Sequence, residues 1–249
     1  MSATLLEAQG LHKRFGDHVV LEDITLAFPA GLLSGIVGPN GAGKTTCFNV
    51  LTGGVRPDRG RVVFDGEDIT GLPPHAIARR GLARSFQLMN VFDEYSALDN
   101  VLLAVPAVRA RSFDMVHDLR RDSAAHDRAA AVLGRVGLGG KEGIAAGRLS
   151  YGERRALEIG LAVAAEPRLL FLDEPTSGLG ADGTARLAEL IQELRRLLTI
   201  VIIEHDMAFL FRLAHRISVI HWGQVIAEGA PEALRADPWL ARSGLGATA

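Results

Sequence analysis

The stretch Gly38-Pro39-Asn40-Gly41-Ala42-Gly43-Lys44-Thr45-Thr46 constrains this chain more than any other. It fits G-x-x-x-x-G-K-[ST], the pattern of a loop whose backbone cradles nucleotide phosphates. Leu32 to Val37 reads as a buried strand running into the loop, and Thr45 to Leu51 as the helix leaving it. That strand–loop–helix order separates a phosphate site from an ordinary glycine-rich turn. Gly38, Gly41 and Gly43 allow positive φ and let N–H groups converge on an anion. The helix N-terminus adds its positive end to the same spot. Lys44 brings a mobile positive charge for the β- and γ-phosphates, and the Thr45 hydroxyl can ligate Mg²⁺. Asn40 and Thr46 complete the nucleotide-contact candidates on this loop.

With 249 residues, the chain is one large domain or a core with a subdomain. Apolar residues make up 48%, enough for a full core, while a net charge of −2 lacks the basic excess of a nucleic-acid binder. The single cysteine, Cys47, rules out an internal disulfide and fits a reducing compartment. Met1 to Glu7 lacks the basic start and long apolar run of a signal peptide. The longest apolar run, Leu197 to Ile203, falls well short of the roughly 20 residues a membrane span needs. The expectation is a chain that does not cross a membrane itself but can dock on one that does.

Taken in order, Leu5–Leu11 and Val19–Phe28 read as antiparallel strands, and Asp65-Gly66 as a hairpin turn. Pro73 opens a short helix, and residues 81–86 return as a strand with Gln87 at its end. Residues 107–130 read as helices with solvated faces, and Ser96 and Ser150 as helix N-caps with acids three residues on. Arg168 to Glu174 is an apolar run ending in two acids, expected to be a parallel strand whose carboxyl end carries them. Thr199 to Ile203 is a second such strand, followed by Glu204-His205-Asp206.

Asp173 can hold Mg²⁺ and Glu174 can polarise an attacking water. His205 reads either as a structural histidine or as a hydrogen-bond donor to a γ-phosphate. Phe15 reads either as a core aromatic or as an adenine platform. Gln87 by itself carries little.

The order of these elements carries a resemblance. Phosphate loop, Gln87, Leu149-Ser150-Tyr151-Gly152-Glu153, Leu172-Asp173-Glu174 and His205 follow one another as in ATP-binding cassette (ABC) ATPases. The chain resembles that family over about residues 4–230, and segment 149–153 looks like its L-S-G-G-Q signature. The resemblance implies an α/β fold: a P-loop ABC ATPase core with an antiparallel β-subdomain and an inserted α-helical subdomain. It implies one cassette over 4–245, with 88–165 as the helical part. It further implies two ATP molecules sandwiched in a dimer, each capped by Ser150, Gly152 and Glu153 of the opposite subunit. Phe15 then becomes the adenine-stacking aromatic. Thr45, Gln87 and Asp173 become the Mg²⁺ set, and Glu174, His205 and Lys44 the catalytic set. Tyr151, Glu153 and Gly180 depart from the family pattern.

Residues 81–87, 149–152, 157–159, 204–207 and 226–229, with Ala236-Asp237-Pro238, resemble importer ATPases for branched-chain amino acids and urea, of the first type in each pair. The partners implied are transmembrane permease subunits, a second ATPase subunit that is a copy or a paralogue, and indirectly a solute-binding protein. The implied place is the cytoplasmic face of a bacterial inner membrane. Gly152-Glu153-Arg154-Arg155 also resembles lipopolysaccharide-export ATPases. A soluble ABC ATPase acting on ribosomes or DNA would bring a second cassette with a basic linker, or long coiled coils, and neither is present.

Overall fold

The computed structural model describes residues 3–85, 91–106, 108 and 122–236. Two sheets carry the architecture. Strands β1 (Thr4–Phe15), β2 (His18–Pro29), β4 (Arg59–Phe64) and β5 (Glu67–Asp68) form an antiparallel sheet in the order β2-β1-β4-β5. The second sheet runs β10 (Gln224–Gly229), β9 (Arg216–His221), β3 (Leu33–Val37), β8 (Thr199–Ile203), β7 (Leu169–Asp173), β6 (Leu82–Arg84). All of it is parallel except the β9–β10 hairpin.

Strands β3, β7 and β8 are buried at every position. Their near-continuous apolar runs follow from a parallel sheet covered on both faces. Alternation sorts the side chains. Leu169 and Phe171 enter the core beneath β1, β2 and α1 (Lys44–Leu51), whereas Leu170 and Leu172 enter the core beneath the helices of the other face. Those helices include α6 (Ala181–Leu194) and α7 (Met207–Leu213).

A third apolar cluster joins α3 (Ala97–Ala104), α4 (Ser123–Arg135) and α5 (Tyr151–Ala164). Helix α5 serves two clusters at once, with Leu157 and Ala164 in the helical one and Ile159 and Val163 on the central sheet. Short helices α2 (Pro74–Ala78) and α8 (Pro231–Arg235) each begin with proline, whose fixed φ suits a first turn. Both expected caps form. Ser96 Oγ accepts from the Asp99 amide, and Ser150 with Glu153 closes a reciprocal capping box. Among the described residues, no helix is long and apolar enough to cross a membrane.

The register brings three strand ends together. Ile203 pairs with Ile36 on one side and with Asp173 on the other. The carboxyl ends of β3, β7 and β8 therefore open on one edge, where open α/β sheets bind ligands. Phe171 anchors that edge from below, fully buried and edge-on to Phe28 at 6.1 Å and Phe48 at 5.7 Å. Phe171→Ala is expected to cost about 3–5 kcal/mol, read as a lower urea midpoint at unchanged denaturant slope.

Candidate functional site

The phosphate loop leaves β3 and turns back into α1. Gly41 and Gly43 sit at φ 79° and 99°, a region open to glycine. Gly38 is required for a different reason: a Cβ there would lie 2.0 Å from the Ile220 carbonyl oxygen. Lys44 is buried and donates from Nζ to the carbonyls of Gly38 at 2.7 Å and Pro39 at 3.0 Å. Burial lowers its pKa, while the charges of Glu174, Asp173 and Glu204 pull it back up. Asn40, Gly41 and Thr45 are exposed along the same loop, with Thr46 half-buried.

Asp173 ends β7 with its carboxylate almost fully buried. Its Oδ1 has no hydrogen-bond partner among the described residues. Burial first, and the Glu174 charge second, push its carboxyl up to about 6. A buried, unsatisfied carboxylate oxygen beside a threonine-bearing phosphate loop fits a hard cation that takes its remaining oxygens from phosphates and water. No cluster of three or more His, Cys, Asp or Glu among the described residues could cage a metal alone.

Glu174 follows in the left-handed region at φ 42°, which costs a non-glycine residue roughly 1–3 kcal/mol. Its amide donates to the Ile203 carbonyl at 2.8 Å. That bond ties it to the end of β8. His205 lies just beyond β8, more than half exposed, with Nδ1 3.8 Å from Glu174 Oε1. The exposure removes the buried structural reading of this histidine. Phe15 is likewise 51% exposed at the tip of the β1–β2 hairpin, so it is not a core aromatic. Gln87 lies outside the described residues.

On the far side, Ser150, Tyr151 and Gly152 open α5 at the surface. A Cβ on Gly152 would meet nothing nearer than Leu179 Cδ2 at 3.9 Å, so this chain's own packing does not demand glycine there. Glu153 is spent internally: it accepts from the Ser150 amide at 2.8 Å and pairs with Lys141. The Lys141 hydrogen bond first, then the Ser150 amide, hold its carboxyl down at about 2.

Comparison with known proteins places this geometry. A family profile described as ABC transporter matches residues 21–177. The chain belongs to the ABC transporter family. It is 39% identical over 253 residues to the high-affinity branched-chain amino acid transport ATP-binding protein BraF of Pseudomonas aeruginosa, covering 99% of each chain. The protein of the same description, LivG, from Escherichia coli is also 39% identical, over 259 residues and 99% of each. The lipopolysaccharide export system ATP-binding protein LptB of Acidithiobacillus ferridurans is 35% identical across 97% of each. Among solved structures, the ADP conformation of MJ1267, an ATP-binding cassette of an ABC transporter, superposes with a TM-score of 0.87 at 27% identity, covering 99% of this chain and all of that one.

Within this ABC fold, the structure assembles Lys44, Thr45, Asp173, Glu174 and His205 at one edge of the sheet. Ser150 and Gly152 stand apart, on the surface of the helical cluster. Sequence reading passed over Glu204. Its carboxylate is fully buried; Oε1 accepts from the Thr176 amide at 2.9 Å and hydroxyl at 2.6 Å, and Oε2 from the His205 amide at 3.2 Å. It clamps the segment after Glu174 to the segment carrying His205. The available signal was an acid closing a buried strand parallel to the one that ends in Asp173-Glu174. Arg84 was also missed: it bonds Asn49 and Thr52 of the loop's helix and its cap from β6.

The Asp173 shift predicts a pH signature. Its folded-state pKa lies above its ordinary value of 3.8, so its stability cost is absent below pH 3.8 and complete above pH 6. Without added metal or nucleotide, Asp173→Asn is expected to stabilise the protein at pH 7.5 by about 1–3 kcal/mol. The gain should shrink toward pH 4.5 in melting experiments.

Proposed function

We propose that this chain is the ATP-hydrolysing subunit of a membrane importer, powering uptake of branched-chain amino acids or a related amino acid, amide or urea. The observation that carries it is a buried Lys44 ammonium opposed by Asp173, Glu174 and Glu204, in a chain similar end to end to BraF and LivG. One cassette spans residues 4–245, with 88–165 as its helical subdomain. It acts on the cytoplasmic face of the inner membrane, against transmembrane permease subunits, beside a second ATPase subunit, and indirectly with a solute-binding protein.

The residues divide the work as follows. Phe15 offers its exposed ring to the adenine. Loop amides from Gly38 to Thr46 and the end of α1 receive the phosphates, and Lys44 turns from its loop carbonyls to the β- and γ-phosphates. Thr45 and Asp173, with Gln87, would hold Mg²⁺, which neutralises charge developing on the phosphate oxygens. Glu174 takes a proton from the attacking water, and His205 holds the γ-phosphate from the other side. Ser150 and Gly152 close over the nucleotide of the opposite subunit, each dimer holding two. Closure favoured by ATP moves the permease-facing segment after Gln87, where Phe92 and Tyr95 lie exposed with ring centroids 5.4 Å apart.

Glu174→Gln is expected to bind ATP, trap a stable dimer by size-exclusion chromatography and lower turnover by at least ~100-fold. Near wild-type turnover would remove Glu174 as the base. Gly152→Val should fold with stability within about 1 kcal/mol of wild type, because among the described residues a Cβ there meets only Leu179 Cδ2, at 3.9 Å. It should still lose turnover by ~10-fold or more.

The similarity to LptB supports a second reading, an ATPase for lipopolysaccharide export. Mass spectrometry of the membrane subunits that co-purify with the chain separates the two.

A further inference from the structure

Helix α5 makes contacts that its packing does not require. Arg155 is buried and pairs with Glu158 on the next turn, Nη1 to Oε2 at 2.6 Å. With its charge matched there, the rest of the guanidinium fork turns to the exit of β7. Nη2 donates to the carbonyls of Asp173 at 3.2 Å and Glu174 at 3.1 Å, and Nε to that of Pro175 at 3.4 Å. The peptide groups around Glu174 are thus held from two elements: β8 takes its N–H through Ile203, and α5 takes its C=O through Arg155. Because Glu174 sits at φ 42°, its conformation depends on such outside holds.

One turn earlier, the exposed Tyr151 donates its hydroxyl to the Ser177 carbonyl at 3.0 Å. Gly178 leaves room for it: a Cβ there would be 2.7 Å from that hydroxyl oxygen. The N-cap and the first five residues of α5 therefore carry both Ser150 and Gly152 and the two side chains that grip segment 173–177. At 1.5 Å of rise per residue they move as a unit.

We propose that Arg155 is a positioning residue for Glu174, and that with Tyr151 it makes the alignment of the catalytic base in one site depend on where the N-terminus of α5 sits on the nucleotide of the other. This rests on the reading above, in which Ser150 and Gly152 cap the opposite subunit's ATP. The link runs beside Gly180, which carries no side chain to transmit a signal at the start of α6.

The experiment compares Arg155→Lys and Tyr151→Phe with wild type in the full-length protein. Arg155→Lys keeps the charge beside Glu158 but gives up the fork. Tyr151→Phe removes one hydroxyl from an exposed ring. Equilibrium binding of a fluorescent ATP analogue, kcat, and the Hill coefficient of ATPase activity against ATP are measured, with melting curves for folding. Arg155→Lys is expected to bind nucleotide within ~3-fold of wild type while kcat falls at least ~10-fold. Tyr151→Phe should lower kcat ~2–5-fold and lower the Hill coefficient. Unchanged kcat in Arg155→Lys, or equal losses of affinity and kcat, overturns the proposal. If Arg155→Lys does not fold, Tyr151→Phe decides: an unchanged Hill coefficient overturns the proposal. Glu174→Gln and Gly152→Val run alongside. Should both retain turnover, the underlying reading fails; should both lose it while the Arg155 and Tyr151 variants behave as wild type, only the coupling fails.

Discussion

A buried ammonium facing three carboxylates is the arrangement on which the rest of this structure depends. Lys44 loses hydration in the phosphate loop, and Asp173, Glu174 and Glu204, at the ends of two neighbouring strands, offset part of that loss. Bringing three acids to one place is itself costly. Asp173 bears that cost as a raised pKa, while the buried Glu204 carboxylate accepts three hydrogen bonds from Thr176 and His205. A triphosphate adds further negative charge, so the balance holds only when cations enter with it. On the proposed function, charge neutrality favours a divalent cation entering together with the nucleotide.

Much of this was legible from residue types alone. Strand β7 announced itself by four apolar residues followed by two acids, and the caps at Ser96 and Ser150 by an acid three residues later. Those signals are local, and the structure honours them. At Phe15 and His205 the buried alternative was removed by exposure, a tertiary property that no short window contains. Arg155 could not be found because its acceptors at the exit of β7 are backbone carbonyls, and a carbonyl looks the same at every position of a sequence. Glu204 was visible as an acid at a strand end. Its clamp on Thr176 joins residues 28 apart and exists only once β7 and β8 are paired.

Helix α5 gathers more roles than its length implies. Its first turn is open to solvent at Ser150 and Gly152, its second grips the exit of β7, and its later turns seal two cores. Arg154 adds a bond to Asp93 at 2.6 Å, next to the exposed Phe92 and Tyr95. The buried Asn100 side chain stiffens that neighbourhood, bonding the Phe92 amide and the carbonyls of Phe92, Tyr95 and Ser96. A helix anchored at this many points transmits displacement because it has little freedom to absorb it.

The close approach at Gly38 ties the phosphate loop to a distant part of the chain. The loop spanning residues 38–46 lies early in the chain, yet its shape is braced by residues made some 180 positions later. Gly38 abuts the Ile220 carbonyl, Ala42 accepts from the Gly223 amide, and β3 is flanked by β8 and β9. A nascent chain that has emerged only through α6 holds the whole phosphate-loop sequence but none of its bracing. The braced shape of the phosphate loop therefore requires the β9–β10 hairpin to be in place.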